Sequence, residues 1–136
     1  MKMRYFIMLM ATIISVSACT SAAIRHEAAD PLFLKVAMSP SDFEGQEIVV
    51  RAWITLRHED KNLWATRQDH ENWETVHCIS LINYDSLDPS LDGRYVEVTG
   101  VVRSDASNGG NLLRFASCRE VAIEVAGPSA IRLITR

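Results

Sequence analysis

Three histidines, His58, His70 and His77, stand close in sequence to Asp69, Glu71, Glu74 and Cys78. These are the side chains from which metal centres and proton-transfer sites are built. Their spacing argues for neither. No Cys-x-x-Cys or His-Glu-x-x-His pairing occurs, so the histidines read as solvated loop residues. His77 adjoins Cys78, but consecutive residues of a strand face opposite ways, which keeps an imidazole off the neighbouring thiol. Asp85, Asp88 and Asp92 are carboxylates of the type calcium takes, without the glycine and bidentate acid of a calcium loop. They read as turn formers and helix caps. No glycine-rich phosphate loop or nucleophile elbow is present. The expectation is no catalytic residue, no metal and no cofactor.

A stacking surface is the more promising chemistry. Arg51, Trp53, Arg57, Lys61, Trp73 and Tyr95 combine aromatic faces with cations and are the candidate binding residues. Barrels that hold single-stranded nucleic acid use that combination along a basic groove. This chain carries a formal charge of −3, so nucleic acid is not the expected ligand. A protein partner or a glycan fits better, and the bland reading of Trp53 is a wall residue covered by the tether or a loop.

The elements that would position these residues follow from hydrophobic period. Ile48, Val50, Ala52, Ile54 and Leu56 share one parity, while Glu47, Val49, Arg51, Trp53, Thr55 and Arg57 share the other: a long half-buried strand. "HEDKN" is a polar turn, "LWAT" a short second strand, "RQDHENWE" a polar loop and "TVHCISLI" a third strand. "NYDSLDPSLDG" reads as loop with at most one helical turn. "RYVEVTGVVR" is a fourth strand with Val96, Val98 and Val102 inward and Gly100 where a barrel bends. "LLRFASCREVAIEV" is a fifth, with Leu113, Phe115, Val121, Ile123 and Val125 on one parity. Ahead of them, Pro31 opens a short helix through Leu32, Phe33 and Val36 that Pro40 ends. The sum is an all-β protein, a small antiparallel barrel of five strands behind a short helix. A split sandwich is the alternative.

"SPSDFEGQEIVVRAWI" followed by "LDGRYVEVTGVV" resembles the OB-fold-like domains of small bacterial exported proteins. In these, a Pro, an aromatic and Gly-x-x-Ile/Val open strand one, and Asp-Gly-x-x-Val-x-Val-x-Gly opens strand four. The resemblance covers roughly residues 31–125 and implies a fold rather than a ligand, because such barrels host many binding tasks. It departs from the pattern at residues 83–93, which leave little room for the usual helix between strands three and four. It also implies that strands three and five are neighbours. Cys78 and Cys118 would then lie on adjacent strands, with parity opposite to the core, on the outer wall.

The first residues carry an address. Lys2 and Arg4 precede "YFIMLMATIISV", an apolar run too short to span a bilayer, with small residues after it, as in a secretory signal peptide. Val16, Ser17, Ala18 and Cys19 resemble a bacterial lipobox, in which the cysteine is lipidated and becomes the first residue of the mature chain. Several acyl chains, at about 0.8 kcal/mol per buried methylene, anchor a protein firmly in the bilayer. Thr20 in place of aspartate implies, from the resemblance to Gram-negative lipoproteins, transfer to the outer membrane, at its periplasmic face. Loss of Lys2 and Arg4 takes the formal charge from −3 to −5.

The expected organisation is a signal peptide (1–18), a flexible lipidated tether (19–30), an OB-like barrel (31–126) and a C-terminal tail (127–136). Extended at roughly 3.3 Å per residue, residues 20–30 reach about 35 Å. In an oxidising compartment Cys78 and Cys118 read as a disulfide, with two separate buried thiols as the alternative. Two functional readings stand: a lipid-anchored, non-catalytic module binding an envelope protein or glycan, or a structural component that spaces or stabilises an assembly. Exposure of Trp53 and Trp73 would favour the first, and burial of both the second.

Overall fold

A computed structural model describes residues 28–58, 60–83, 85–107 and 118–135. The leader, the lipobox, Cys19 and most of the tether lie outside the described residues, as do Leu113 and Phe115. In chain order the elements are α1 (Pro31–Met38), β1 (Glu47–Arg57), β2 (Asp60–Trp64), α2 (Arg67–Glu71), β3 (Cys78–Ile82), β4 (Arg94–Arg103), β5 (Ala122–Glu124) and β6 (Ile131–Leu133). Short 3-10 turns occupy Pro40–Phe43, Thr75–His77, Pro89–Leu91 and Pro128–Ala130.

Strands follow one another round the barrel as β1, β2, β3, β5, β4, and β4 returns to pair with β1, closing a ring of five. This is the small five-stranded all-β barrel that the period-two runs predict, as the OB-like resemblance also implies. It is not antiparallel throughout: β3 and β5 run parallel, with Leu81 opposite Ile123. A closed ring with an odd number of strands cannot alternate direction all the way round, so one pair must be parallel. Ile48, Val50, Ala52 and Ile54 point inward from β1 and Val96, Val98 and Val102 from β4, all buried. Gly100 is the crossing point. A Cβ there would meet Ile123 Cγ2 and come within 2.7 Å of the Glu124 carbonyl oxygen, so only glycine lets β4 lie this close to β5.

Helix α1 packs against one side of the barrel interior through Phe33, Val36 and Ala37, at the i, i+3, i+4 spacing of a single helical face. Leu32, expected in that stripe, is only half-buried. Asp30 fixes the helix, one carboxylate oxygen accepting from Leu32 N at 2.8 Å and the other from Arg51 N at 2.8 Å. A helix-end donor and a donor on the β1 edge are thus satisfied by one side chain.

Four boundaries differ from expectation, one of them β5, which begins at Ala122 and leaves Cys118 outside it. β2 begins at Asp60 rather than Leu63, because its polar residues bond across to β1. β3 begins at Cys78, since Thr75–His77 form a 3-10 turn. The tail forms β6, pairing Ile131 with Val98 and Leu133 with Val96. β5 is short and pairs only Val101 to Arg103 of β4, so β6 takes up the backbone groups that β5 leaves unpaired on that edge.

Candidate functional site

The outward side chains of β1, β2 and β3 form ordered rows. Strand register sets Tyr95 beside Trp53, Trp53 beside Trp64 and Trp64 beside Cys78. The next row is Thr55, Asn62 and Ser80, and the last pairs Arg57 with Asp60. In OB barrels the β2–β3 face is where ligands lie, and the alternation of β1 predicts a solvated wall. The wall is instead covered. Trp64 is 0% exposed, and Thr55, Asn62 and Ser80 are the buried polar residues among those described.

The cover is a strap, residues 65–77, that leaves β2 and folds back. Thr66 caps α2: its hydroxyl accepts from Asp69 N at 3.0 Å and donates to Asp69 Oδ2. The other Asp69 oxygen lies 2.8 Å from His77 Nδ1, and Ala65 N donates to the His77 carbonyl at 2.9 Å, so the two ends are tied together. Trp73 closes the turn with φ 56, the left-handed region in which a bulky residue is strained. Its ring centroid lies 5.3 Å from that of Trp64, and the His70 ring lies 5.1 Å from the same indole. The polar run at residues 67–74 predicts a loop, whereas Arg67–Glu71 form a helix. The Thr66-x-x-Asp69 spacing is the signal that finds the helix.

Beneath the strap, Asp60 is held on two sides. Its Oδ1 accepts from Thr55 Oγ1 at 2.9 Å and from Asn62 Nδ2 at 2.7 Å, while Oδ2 faces His70 Nε2 at 3.0 Å. Trp64 Nε1 donates to Thr55 Oγ1 at 3.2 Å, and Ser80 Oγ donates to Asn62 Oδ1 at 3.2 Å. Among the described residues no buried side-chain nitrogen or oxygen lacks a partner. This is why three polar residues can occupy a buried wall without the penalty of an orphaned group.

The six candidate binding residues are not one cluster. Trp53 and Tyr95 touch edge to face, with centroids 5.0 Å apart. Arg51 is exposed one row away, opposite Glu97. Arg57 pairs with Asp92, and Lys61 Nζ donates to the Leu56 carbonyl at 3.3 Å; both flank the β1–β2 turn, roughly 10 to 13 Å along β1 from Trp53 at the strand rise. The expected ring of cations round Trp53 is therefore not assembled from these residues. The cation that reaches Trp53 is Arg67, 5.7 Å from the ring centroid, and its backbone N–H donates to Tyr95 Oη at 2.9 Å. Sequence could not offer Arg67, because the strap brings it to Trp53. Trp73 meets Trp64 rather than Trp53, and is 54% exposed.

Cys78 and Cys118 stand at disulfide distance, Cα to Cα 5.2 Å. Cys78 lies on the outer side as its parity implies, yet both cysteines are buried with Trp64 in a small cluster edged by Trp53, not displayed on an open wall. Cys118 precedes β5 rather than sitting in it. His77 turns to Asp69, away from Cys78. His58 is exposed at the β1–β2 turn. Asp88 caps the 3-10 turn through Ser90 N at 2.8 Å, and Asp92 accepts from Leu56 N at 2.8 Å, the structural tasks expected of them. Among the described residues no three His, Cys, Asp or Glu gather to hold a metal. No helix among them is long and apolar enough to cross a membrane.

Comparison of the chain with protein-family models, with curated proteins and with solved structures finds no match. Indole faces and a fixed carboxylate are groups capable of stacking and of accepting hydrogen bonds.

Proposed function

We propose that this chain is a lipid-anchored lipoprotein of the bacterial envelope whose OB-like barrel is a non-catalytic binding module, held through acyl chains on Cys19 at the periplasmic face of the outer membrane. The lipobox pattern Val16, Ser17, Ala18 and Cys19 supports the anchor. A cysteine pair at disulfide distance fits an oxidising compartment. The observation that carries the binding reading is Trp73, more than half exposed on a strained left-handed backbone and backed by Trp64. A large aromatic displayed in this way is characteristic of contact surfaces. The second reading, a component that only spaces or stabilises an assembly, draws on Trp53, half-buried beneath Arg67.

The test is a photo-crosslinking amino acid placed at Trp73 in intact cells, with Cys19→Ser as a companion. A discrete adduct supports binding, and its absence gives the structural reading the advantage. Cys19→Ser should abolish fatty-acid labelling and release the protein from membranes. Single-stranded DNA should show no appreciable affinity at physiological salt, since the chain is acidic and Asp60 stands on the wall.

A further inference from the structure

Arg67 and His70 both come from the strap, and both make contacts with the wall that a ligand would make. A guanidinium lies over Trp53, a backbone N–H donates to Tyr95 Oη, and an imidazole nitrogen meets Asp60 Oδ2. Lifting the strap would bare the faces of Trp53 and Trp64, one oxygen of Asp60 and its side of the Tyr95 hydroxyl. These groups would remain in place, because Thr55 and Asn62 grip the other oxygen of Asp60 and the strands beneath are part of the closed ring. A pre-positioned acceptor on the same wall as two indoles needs little rearrangement to receive a ligand.

The strap is the weaker partner. Helix α2 buries none of its own residues, its Arg67–Glu71 pair is exposed and contributes little, and Trp73 holds a strained backbone angle. We propose that the strap is an internal occupant of the wall, displaced by a basic peptide segment of a partner protein, one of whose cationic side chains replaces Arg67 over Trp53 while another donates to Asp60 in place of His70. The cation now on Trp53 and the carboxylate two rows along the same wall set the charge of the occupant, and the acidic chain, formally −3, complements it. The contact is made by side chains. β2 pairs with β1 on one side and β3 on the other, so an added strand has no backbone edge to join there. This inference rests on the binding-module reading and names a ligand class for the wall beneath the strap that carries Trp73.

The test uses the purified protein at physiological salt with three probes: blocked tetra-arginine, blocked tetra-glutamate and chitotriose. Tryptophan fluorescence reads binding, and hydrogen exchange at the amides of Ala65, Asn72 and Trp73 reads the strap. Tetra-arginine should bind and speed exchange at those amides, and tetra-glutamate should not. Arg67→Ala removes the internal competitor and should tighten tetra-arginine about tenfold, an order-of-magnitude figure for one cation–aromatic contact. Arg132→Ala, which deletes the same charge at an exposed site, should leave affinity unchanged, which separates displacement from general attraction.

Asp60→Asn should weaken binding, whereas Glu97→Gln should not. Thermal unfolding shows whether Asp60→Asn is folded, and Arg67→Ala, on the exposed strap, tests the proposal independently of it. Equal tightening by Arg67→Ala and Arg132→Ala, unchanged strap exchange, or preference for chitotriose overturns the proposal. Inert tetra-arginine with an intact Trp73 adduct in cells leaves the binding-module reading standing. Specific tetra-arginine binding without any cellular adduct removes the support for that reading instead.

Discussion

Around Thr55, Asn62, Trp64 and Ser80 both sides of the sheet formed by β1, β2 and β3 are buried, by different chemistry. Inside, Ile54, Leu63 and Ile79 meet other aliphatic side chains, and their burial needs only volume and shape. Outside, Trp64 lies against His70 and Trp73 of the strap, and Trp64, Thr55, Asn62 and Ser80 are buried and joined by directed hydrogen bonds. The inner layer tolerates exchange of one apolar residue for another of like volume. The outer layer does not, because removing one partner leaves another unsatisfied. A barrel wall can therefore be closed to water and still be specific in its chemistry, provided that its polar groups bond each other.

The largest test of this contrast lies inside. Phe33 is 0% exposed at the point where α1 packs on the barrel, and Phe33→Ala should lower stability by about 3–5 kcal/mol. Denaturant unfolding should show one cooperative transition at a lower midpoint. Early loss of the strap alone, with the barrel intact, would mean that the two layers are not separate in the way described.

Next in size is the Cys78 and Cys118 pair, which spans a sequence separation of 40. A bond between them should contribute about 2–4 kcal/mol, removed by reduction or by the double change to alanine. The loss should concentrate in the outer layer, seen as increased Trp64 exposure to a quencher before the inner core unfolds. Both thiols reacting with maleimide in denatured, unreduced protein would exclude the bond.

Thr55→Val sharpens the contrast at its centre. Valine fills nearly the same space, but Asp60 and Trp64 each lose a partner, and a cost of about 1–3 kcal/mol is expected. An equal-volume change inside, Ile54→Leu, should cost less than about 1.5 kcal/mol. Equal effects would show that the outer layer is held by packing alone.

The smallest effect lies away from both layers. Hydrogen bonds from the Ser104 side chain and backbone, with the positive charge of Arg103, hold the Glu44 carboxyl below its ordinary value of 4.5. Its stabilisation is present in full above that unfolded value and fades as pH falls through the lower folded one. The carboxyl is exposed, so the effect is minor and salt should reduce it further. Glu44→Gln should flatten the acid side of the stability profile slightly without touching the neutral side.

The barrel was legible because burial on one face imposes a period of two, which β1 and β4 keep almost without fault. The Asp92-Gly93 pair was legible for a related reason. It marks a turn, with Gly93 at φ 68 and the Asp92 carboxylate bonded to Leu56 N. The strap was not legible as a cover. Its residues are polar, and its short helix shows only as a capping pair, Thr66 and Asp69. A period-two pattern also assigns Thr55, Asn62 and Ser80 to solvent, because it records the side facing the core and says nothing of a second layer on the other side.

The sequence by itself determined the alternation that makes the strands, the helix of Phe33 and Val36 and the turn residues. Those are local properties, set by side-chain period and backbone preference within a few residues. Tertiary structure alone decided that Asp60 and Asn62 belong to a strand, that Ala122 runs parallel beside Ser80, that β6 completes β4, and that Arg67 rather than Arg57 or Lys61 reaches Trp53. Each of those depends on a neighbour distant in sequence supplying a hydrogen bond or a ring face. The residues concerned carry no periodic signal of their own.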